Sequence, residues 1–266
     1  MRTPYSFNPE EAFNTIKDHW TKWGEQVNAK RWVVGISGGK DSTVVAALAN
    51  KIFPGKVLGV LMPNGEQADI KDSYAVCEAA NILSVTVNIG KAFSGLLDEV
   101  KNVATNYFHM KEPSDDTVVN MPARLRMTAL YAVAQNLPNT FVVNTSNRSE
   151  NVVSFATLYG DHAGSYAPIQ NLTVTEVMQL GDWLGLPHHL VHKTPIDGLQ
   201  PKSDEEKLGV IYAEIDRLIR LGEGTDEVKE KVWGYYNRGK FKLDMVRMSG
   251  PAFENLPDIF REQGGL

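Results

Sequence analysis

The sequence predicts an α/β fold in which helices cover both faces of a parallel sheet. Short apolar segments typical of buried strands alternate with longer segments of helical periodicity. We expect strands at 31–34, 56–63, 83–89 and 140–143. Each gap between them can hold a crossover helix, and strands joined by crossovers pair in parallel.

The first helix is expected to begin at Asn8, a residue that caps helices, followed by Pro9 in the first turn. Its apolar stripe ends near Gly24. Further helices are expected at 42–49, 69–80, 92–107 and 120–135, and another is headed by 172–177. A capping box at Ser203 is expected to start a helix that runs through Arg220, whereas the polar stretch 109–116 is expected to be a loop.

Composition excludes several classes of protein. A chain of 266 residues, 42% of them apolar, can build one large core or one core with a lobe, and a net charge of −5 argues against a nucleic-acid-binding face. The single cysteine, Cys77, excludes a disulfide framework and is expected to be a packed thiol. No leader or long apolar run is visible, so we expect no membrane contact and a cytoplasmic location.

No two histidines are expected to lie on one helix at the spacing of a metal site. His188, His189 and His192 form the one cluster, which we expect to lie in a surface loop after Pro187. A zinc ion would need a fourth ligand that the sequence does not provide. The cluster is therefore expected to be a surface feature.

The segment that organises the chain joins the first strand to the next helix and reads Gly35-Ile36-Ser37-Gly38-Gly39-Lys40-Asp41-Ser42. Glycines allow a tight turn, and the N–H groups of a helix start attract anions. A Walker A loop is excluded, because Val34 stands where its first glycine is needed and Asp41 follows Lys40. An acidic residue is unexpected in a loop that attracts anions. The presence of Asp41 is explained if it binds Mg²⁺ that also binds the phosphates.

A second polar segment follows the strand at 140–143 and reads Asn144-Thr145-Ser146-Asn147-Arg148-Ser149-Glu150. Ligands of open parallel sheets bind beyond the carboxyl ends of the strands, so this segment is expected on the same rim as the glycine-rich loop. Arg124 and Arg126 lie two apart on a helix and face different ways, so one of them can reach a ligand while the other pairs with acids.

The glycine-rich loop resembles the pyrophosphate loop of the ATP-pyrophosphatase superfamily. The loop is followed by Ala-Arg-x-Arg-Met, then Asn-Thr-x-Asn-x-Ser-Glu, then Tyr159-Gly160-Asp161, and this order resembles ammonia-dependent NAD synthetases. The resemblance implies a Rossmann-like (adenine nucleotide alpha hydrolase-like) fold. It also implies that residues 1–266 form a single domain with a C-terminal helical extension and no glutaminase domain, and that the protein is a homodimer.

The resemblance further implies that ammonia amidates deamido-NAD through an adenylated carboxylate, giving NAD, AMP and pyrophosphate. Mg²⁺ would be the cofactor, and ATP, deamido-NAD and ammonia the small-molecule partners. By the same resemblance, Ser37, Lys40 and Asp41 are catalytic, Asp41 and Glu150 bind the metal, and Arg124 and Asp161 bind the dinucleotide. ATP would contact Gly35, Ile36, Ser37, Gly38, Gly39, Lys40, Asp41, Ser42 and Thr145.

The chain departs from the family pattern at several charged or polar positions. These departures weaken the case for deamido-NAD as the substrate more than the case for adenylation chemistry. We expect Arg148 or Lys202 to replace the charged contacts that are lost. The departures are Leu158 for Lys, Ser165 for Asp, Val174 for Lys, Ile196 for Thr and Phe241-Lys242 for His-Lys.

Two alternatives therefore stay open beside NAD synthesis. One is an adenylating or amidating enzyme that acts on another carboxylate, and the other is a catalytically silent nucleotide-binding protein. For the turn-rich segment 198–207 two interpretations stay open: a lid that closes over the nucleotide and excludes water from the acyl adenylate, or a mobile surface connection.

Overall fold

The computed structural model describes residues 6–67, 70–193, 203–245, 248–253 and 255–259. Its sheet contains the strands β1 (Arg31–Gly35), β2 (Val57–Leu61), β3 (Leu83–Thr86) and β4 (Thr140–Val143). All pairings are parallel and the order is β3-β2-β1-β4. The predicted fold class is confirmed.

Helices fill the connections between the strands and form the carboxyl-terminal part of the described chain. None of the described helices is long and apolar enough to pass through a membrane. They are α1 (Pro9–Gln26), α2 (Lys40–Ile52), α3 (Ile70–Ala79), α4 (Gly90–Phe108), α5 (Asp115–Gln135), α6 (Arg148–Val152), α7 (Val174–Trp183), α8 (His188–Val191), α9 (Asp204–Leu208), α10 (Tyr212–Leu221), α11 (Asp226–Gly239) and α12 (Phe241–Met245).

Successive residues of β1 enter different cores, because side chains alternate across a strand. Trp32 packs with Trp20 of α1 and with α2 on one face of the sheet. Val33 packs with Leu130 of α5 on the other face. Helices therefore cover both faces, as the sequence predicts, and the central strands β1 and β2 are largely buried, whereas the edge strand β3 is mostly exposed.

Local capping explains where several helices begin. The side chain of Asn8 accepts hydrogen bonds from the N–H groups of Glu10 and Glu11, which confirms the predicted start of α1. Helix α5 begins at Asp115 rather than at the predicted residue 120, because the side chain of Ser114 accepts from the N–H of Thr117. The expected loop at 109–116 is correspondingly shorter.

Other elements also differ from the prediction: β2 is Val57–Leu61 rather than 56–63, and α2 begins at Lys40 rather than at 42. Strand β3 ends at Thr86, before the expected residue 89. The single helix expected from Ser203 to Arg220 is two helices, because Gly209 adopts a left-handed φ of 64° that ends α9. His188 and His189 lie on the short helix α8 rather than in a loop, and His192, which follows that helix, contacts the carboxylate of Asp182.

A separate apolar cluster joins α10 and α11 to α6, α7, α9 and α12, and ion pairs lie beside it. Arg220 and Glu176 are both fully buried, and the guanidinium donates to both carboxylate oxygens at 2.8 Å. The same carboxylate accepts from the N–H of Thr173 in a capping box at the start of α7. The charges of this pair are therefore balanced and hydrogen-bonded.

We predict that Arg220→Leu lowers the free energy of unfolding by about 3–5 kcal/mol, because Glu176 would keep a buried charge without its partner. Urea denaturation measures the change. Arg217→Leu is the matched control, since Arg217 lies on the same helix and its ion pair with Glu223 is more than half exposed. The control should lose at most about 1 kcal/mol, and equal losses in the two variants would contradict the prediction.

Candidate active site

The site lies where the order of the strands reverses along the sheet. The chain passes from β1 to β2 on one side, whereas β4 pairs with β1 on the other. The loop after β1 and the polar segment after β4 therefore emerge side by side at the carboxyl edge, which is the usual ligand site of open α/β sheets. The predicted common rim is confirmed.

The loop after β1 is closed by its own hydroxyl groups. Ser37 Oγ accepts from the N–H of Gly39 at 3.2 Å, and Ser42 Oγ donates to the carbonyl of Gly39 at 3.0 Å. Gly38 has a φ of +81°, and a Cβ atom there would lie 3.1 Å from Asp72, so only glycine fits without strain. Helix α2 starts at once, and its first turn presents backbone N–H groups without helical acceptors.

The segment after β4 is held in place by two asparagines. Asn144 donates to the carbonyls of Asp161 and Ala163 at 2.8 and 2.9 Å. Asn147 forms a capping box with Glu150: its side chain accepts from the Glu150 N–H, and its own N–H donates to the Glu150 carboxylate at 3.2 Å. The start of α6 thus fixes the position of Glu150.

Asn147 also connects the two segments. Its Nδ2 donates to Asp41 Oδ1 at 3.0 Å, across 106 residues of sequence. The two predicted metal ligands, Asp41 and Glu150, therefore share one hydrogen-bonding partner. Capping chemistry predicts that an asparagine can begin α6, but a residue that joins the two carboxylates is visible only in the fold.

Lys40 is turned toward carboxylates. Its Nζ lies 3.0 Å from Asp41 Oδ2, its side chain is 5% exposed, and its ammonium lies 5.5 Å from the ring centroid of Tyr212. Burial opposes the charge, but Asp41, Glu150 and then Asp204 outweigh it and raise the pKa of Lys40. In the structure the neighbours of the Lys40 ammonium are therefore carboxylates. The contact with phosphate that we expect from the sequence would be an additional role.

Glu150 carries the clearest electrostatic perturbation of the site. Burial and then the charge of Asp41 raise the pKa of Glu150 to about 8, although Lys40 and the Asn147 N–H act in the opposite direction. One ammonium does not neutralise the two carboxylates. Within the described ranges no group of three or more His, Cys, Asp or Glu side chains could hold a metal ion, so a cation at Asp41 and Glu150 would need further oxygen atoms from a ligand.

The residues predicted to bind ATP and the dinucleotide lie after β4, on α5 and in the loop between α6 and α7. Thr145 follows β4 directly and is half-buried. Arg124 is exposed and donates to the carbonyl of Leu158, while Arg126 donates to the carbonyl of Met62, so the two arginines do face different ways. The Asp161 carboxylate accepts from the N–H of Thr157 at 2.8 Å.

The expected compensation by Arg148 is wrong. Arg148 is 2% exposed and is bonded through two nitrogens to Asp258, so it holds the carboxyl-terminal segment. Lys202 and Ile196 lie outside the described residues, as does the part of the expected lid before Ser203. Lys242 lies close enough to Asp161 for the charge of that carboxylate to act on the Lys242 ammonium. The ammonium donates to the carbonyls of Ser154 and Ala156.

Two residues of the site were not predicted from the sequence. Asp204 contributes to the charge around Lys40, and Tyr212 presents its ring to the same ammonium. The Tyr212 hydroxyl is buried and has no hydrogen-bond partner among the residues that the structure describes. The sequence pattern next to Asp204 is the capping box at Ser203. A capping box indicates where a helix starts and does not indicate a functional role for its residues.

Cys77 lies away from this chemistry. The thiol is 4% exposed and packs in the core beneath α3, and burial raises its pKa, which disfavours the reactive thiolate. The predicted packed role is confirmed.

The chain is similar to known proteins of one family. A family model described as NAD synthase matches residues 12–243. The NH3-dependent NAD+ synthetase of Carboxydothermus hydrogenoformans is 35% identical over 234 residues, which cover 87% of this chain and 92% of that protein.

Solved structures share the fold. A structure described as NMN synthetase from Francisella tularensis aligns with a TM-score of 0.80 and 30% identity, covering 93% of this chain and all of the other. A structure described as NAD+ synthetase from Burkholderia pseudomallei aligns with a TM-score of 0.73 and 25% identity, covering 89% of this chain and 90% of the other.

We predict that Glu150→Gln raises the melting temperature at pH 8 and has a smaller effect at pH 5. Because the pKa of Glu150 is raised on folding, its protonated form is favoured in the folded state, and stability is lost as the pH rises from about 4.5 to about 8. A neutral amide avoids that loss. Differential scanning calorimetry from pH 5 to 8 tests this, and a variant that is less stable than wild type at every pH would contradict it.

Proposed function

Because the chain belongs to the NAD synthase family, we propose that it amidates the carboxylate of deamido-NAD with ammonia and consumes ATP as co-substrate. It is a carbon–nitrogen ligase of NAD biosynthesis. The observation that carries the proposal is the hydrogen bond from Asn147 to Asp41, which joins the anion-binding loop to the segment with Glu150 in one site.

The reaction needs ATP because a carboxylate is a poor acyl donor. Its negative charge repels a nucleophile, and its resonance makes the carbon less electrophilic. An oxygen of the substrate carboxylate attacks the α-phosphorus of ATP, and pyrophosphate leaves. The nitrogen of ammonia then attacks the carbonyl carbon of the adenylate, AMP leaves and the nitrogen loses a proton. The site must therefore stabilise the negative charge that develops on the leaving pyrophosphate.

The loop from Ser37 to Ser42 suits that task. The N–H groups of the first turn of α2 and the Ser37 hydroxyl lie at a helix N-terminus, which favours phosphate oxygens. In this proposal Lys40 supplies a positive charge beside the same turn, and Thr145 contacts ATP from the segment after β4. Arg124 binds the dinucleotide from α5, and Asp161 binds it from the loop between α6 and α7.

The donor set fits Mg²⁺. Asp41 and Glu150 offer hard oxygen ligands. Burial and then repulsion from Asp41 raise the pKa of Glu150, and a divalent cation would lower it again. We propose that these two carboxylates hold the ion together with substrate phosphates. When bound, Mg²⁺ supplies charge that stabilises the departing pyrophosphate.

Two positive charges of the family pattern remain near Leu158. Arg124 donates to the Leu158 carbonyl, and the Lys242 ammonium lies close to Asp161. We propose that these two retained charges bind the dinucleotide without the lysine that the family has at position 158, so that deamido-NAD remains the substrate.

A second acid substrate is suggested by one comparison. The structure from Francisella tularensis is described as an NMN synthetase, so the competing substrate in our assay is nicotinate mononucleotide, the acid that amidation turns into NMN. It carries the same carboxylate and lacks the second nucleotide half. The chemistry at Asp41 and Glu150 would be unchanged.

Quaternary structure is part of the proposal. Helix α4 buries only Ala104 among its 19 residues, and it exposes Leu96, Val103, Tyr107 and Phe108. An apolar helix face of this kind suits burial between two copies of the chain. We propose a cytoplasmic homodimer in which each chain is a single domain with a helical extension.

We predict that Asp41→Asn lowers the rate of AMP release by about 10³-fold or more, because it removes a cation ligand and the partner of Lys40. The assay contains ATP, Mg²⁺, ammonium and deamido-NAD, and both AMP and NAD are measured. Near-normal AMP release by the variant would contradict the assignment.

The control for that assay is Cys77→Ala, which should keep ammonia-driven turnover because the thiol is packed in the core. Activity should also rise with pH as ammonium loses its proton, and glutamine should replace ammonia poorly. Glutamine-driven turnover that disappears in Cys77→Ala would refute ammonia as the nitrogen source.

We predict that deamido-NAD is preferred over nicotinate mononucleotide, with Lys242→Met lowering kcat/KM for deamido-NAD by about tenfold or more through one lost charged contact. Competition between the two acids measures the preference. If the mononucleotide wins by more than about tenfold, a gap of about 1.4 kcal/mol, NMN synthesis becomes the function, and the adenylating chemistry stands.

A further inference from the structure

Both oxygens of the Asp41 carboxylate are engaged within the protein. Oδ1 accepts from Asn147 at 3.0 Å, and Oδ2 lies 3.0 Å from the Lys40 ammonium. The Lys40 side chain is 5% exposed and that of Asp41 is 16% exposed, so little water screens the contact. A cation that binds Asp41 therefore meets an ammonium already there.

We propose that Lys40 is the resident counter-ion of Asp41 and that a divalent cation must displace its ammonium to bind. The proposal deepens the proposed function, since it takes Asp41 and Glu150 as the ligands of the cation. It assigns to Lys40 a role that precedes any contact with phosphate.

Charge explains why the two cations compete. A divalent ion bound to Asp41 Oδ2 would lie within a few ångströms of the ammonium in a poorly screened site, where like charges repel strongly. The hydrogen bond from Asn147 is neutral and does not repel the ion. Displacement of Lys40 is therefore the cost of binding, and it weakens the affinity for the ion alone.

The structure also shows where the ammonium can remain. Lys40 is the first residue of α2, so its side chain stays beside the turn that we assign to phosphate. The face of Tyr212 lies 5.5 Å from Nζ and stabilises a cation without forming a salt bridge. Binding of the metal ion thus makes the lysine available to the pyrophosphate of ATP, which links the two roles of this residue.

The test measures Mn²⁺ binding by electron paramagnetic resonance, without nucleotide, so that no turnover is needed. We expect Lys40→Met to bind Mn²⁺ at least tenfold more tightly than wild type, because the competing ammonium is gone. Lys51→Met is the matched control: Lys51 lies on the same helix, and its ammonium packs over Phe13 and Trp183. Its Mn²⁺ affinity should equal that of wild type.

Equal or weaker Mn²⁺ binding by a folded Lys40→Met variant would overturn the proposal. If that variant does not fold, Lys40→Arg keeps the charge and can bind Asp41 through two nitrogens, so it should bind Mn²⁺ more weakly than wild type; unchanged or tighter binding would also overturn it. Asp41→Asn separates the two claims. If it leaves Mn²⁺ affinity unchanged, the metal assignment of the proposed function fails. If it abolishes binding and Lys40→Met has no effect, only the counter-ion role fails.

Discussion

The pairing of β4 with β1 is the constraint on which the site depends. Val34 lies opposite Val143 in this parallel register, so the chain leaves both strands at the same level of the sheet. The glycine-rich loop and the segment with Glu150 begin within one or two residues of these ends. A shift of two residues along β4 would preserve its buried face and still move Glu150 by about 7 Å. The register therefore sets the geometry that joins Asp41 to Asn147.

A second constraint comes from Asp216 on α10, which holds helices of the site together. Its carboxylate accepts from the Ser149 hydroxyl of α6 and from the N–H and hydroxyl of Thr175 on α7. Burial raises its pKa to about 6, although these donors favour the charged form. Because α6 carries Glu150 and α10 carries Tyr212, this buried acid fixes the distance between two walls of the site. Its charge is satisfied by hydrogen bonds within the fold, whereas the charges at Asp41 and Glu150 are only partly satisfied.

Local patterns in the sequence predict the fold class, the glycine-rich loop and the residues at the two strand ends, because periodicity, turn chemistry and caps depend on near neighbours. They do not predict the partners of those residues. The sequence suggested that Arg148 faces the substrate, yet Asp258, 110 residues away, binds it in the interior. Lys40 was expected to face phosphate, and only the folded chain brings Asp204 and Tyr212 around it. The start of α5 was missed because the Ser114 cap was outweighed by a polar stretch typical of loops.

The distribution of charge distinguishes structural from functional acids in this protein. Glu176 and Asp258 are buried, and each is bonded to a guanidinium that matches it in charge and geometry. Asp41 and Glu150 share one ammonium and one asparagine, so one carboxyl group is in excess beside the glycine-rich loop, and without a further cation Glu150, with a pKa of about 8, stays largely protonated at neutral pH. Such an arrangement lowers stability, so a fold that only needed to be stable would replace it with a matched pair. The excess is useful if a divalent cation and a triphosphate bind together, since the cation then balances both the carboxylates and the phosphates. The unmatched carboxylates are thus the physical reason to place ATP chemistry at this end of the sheet.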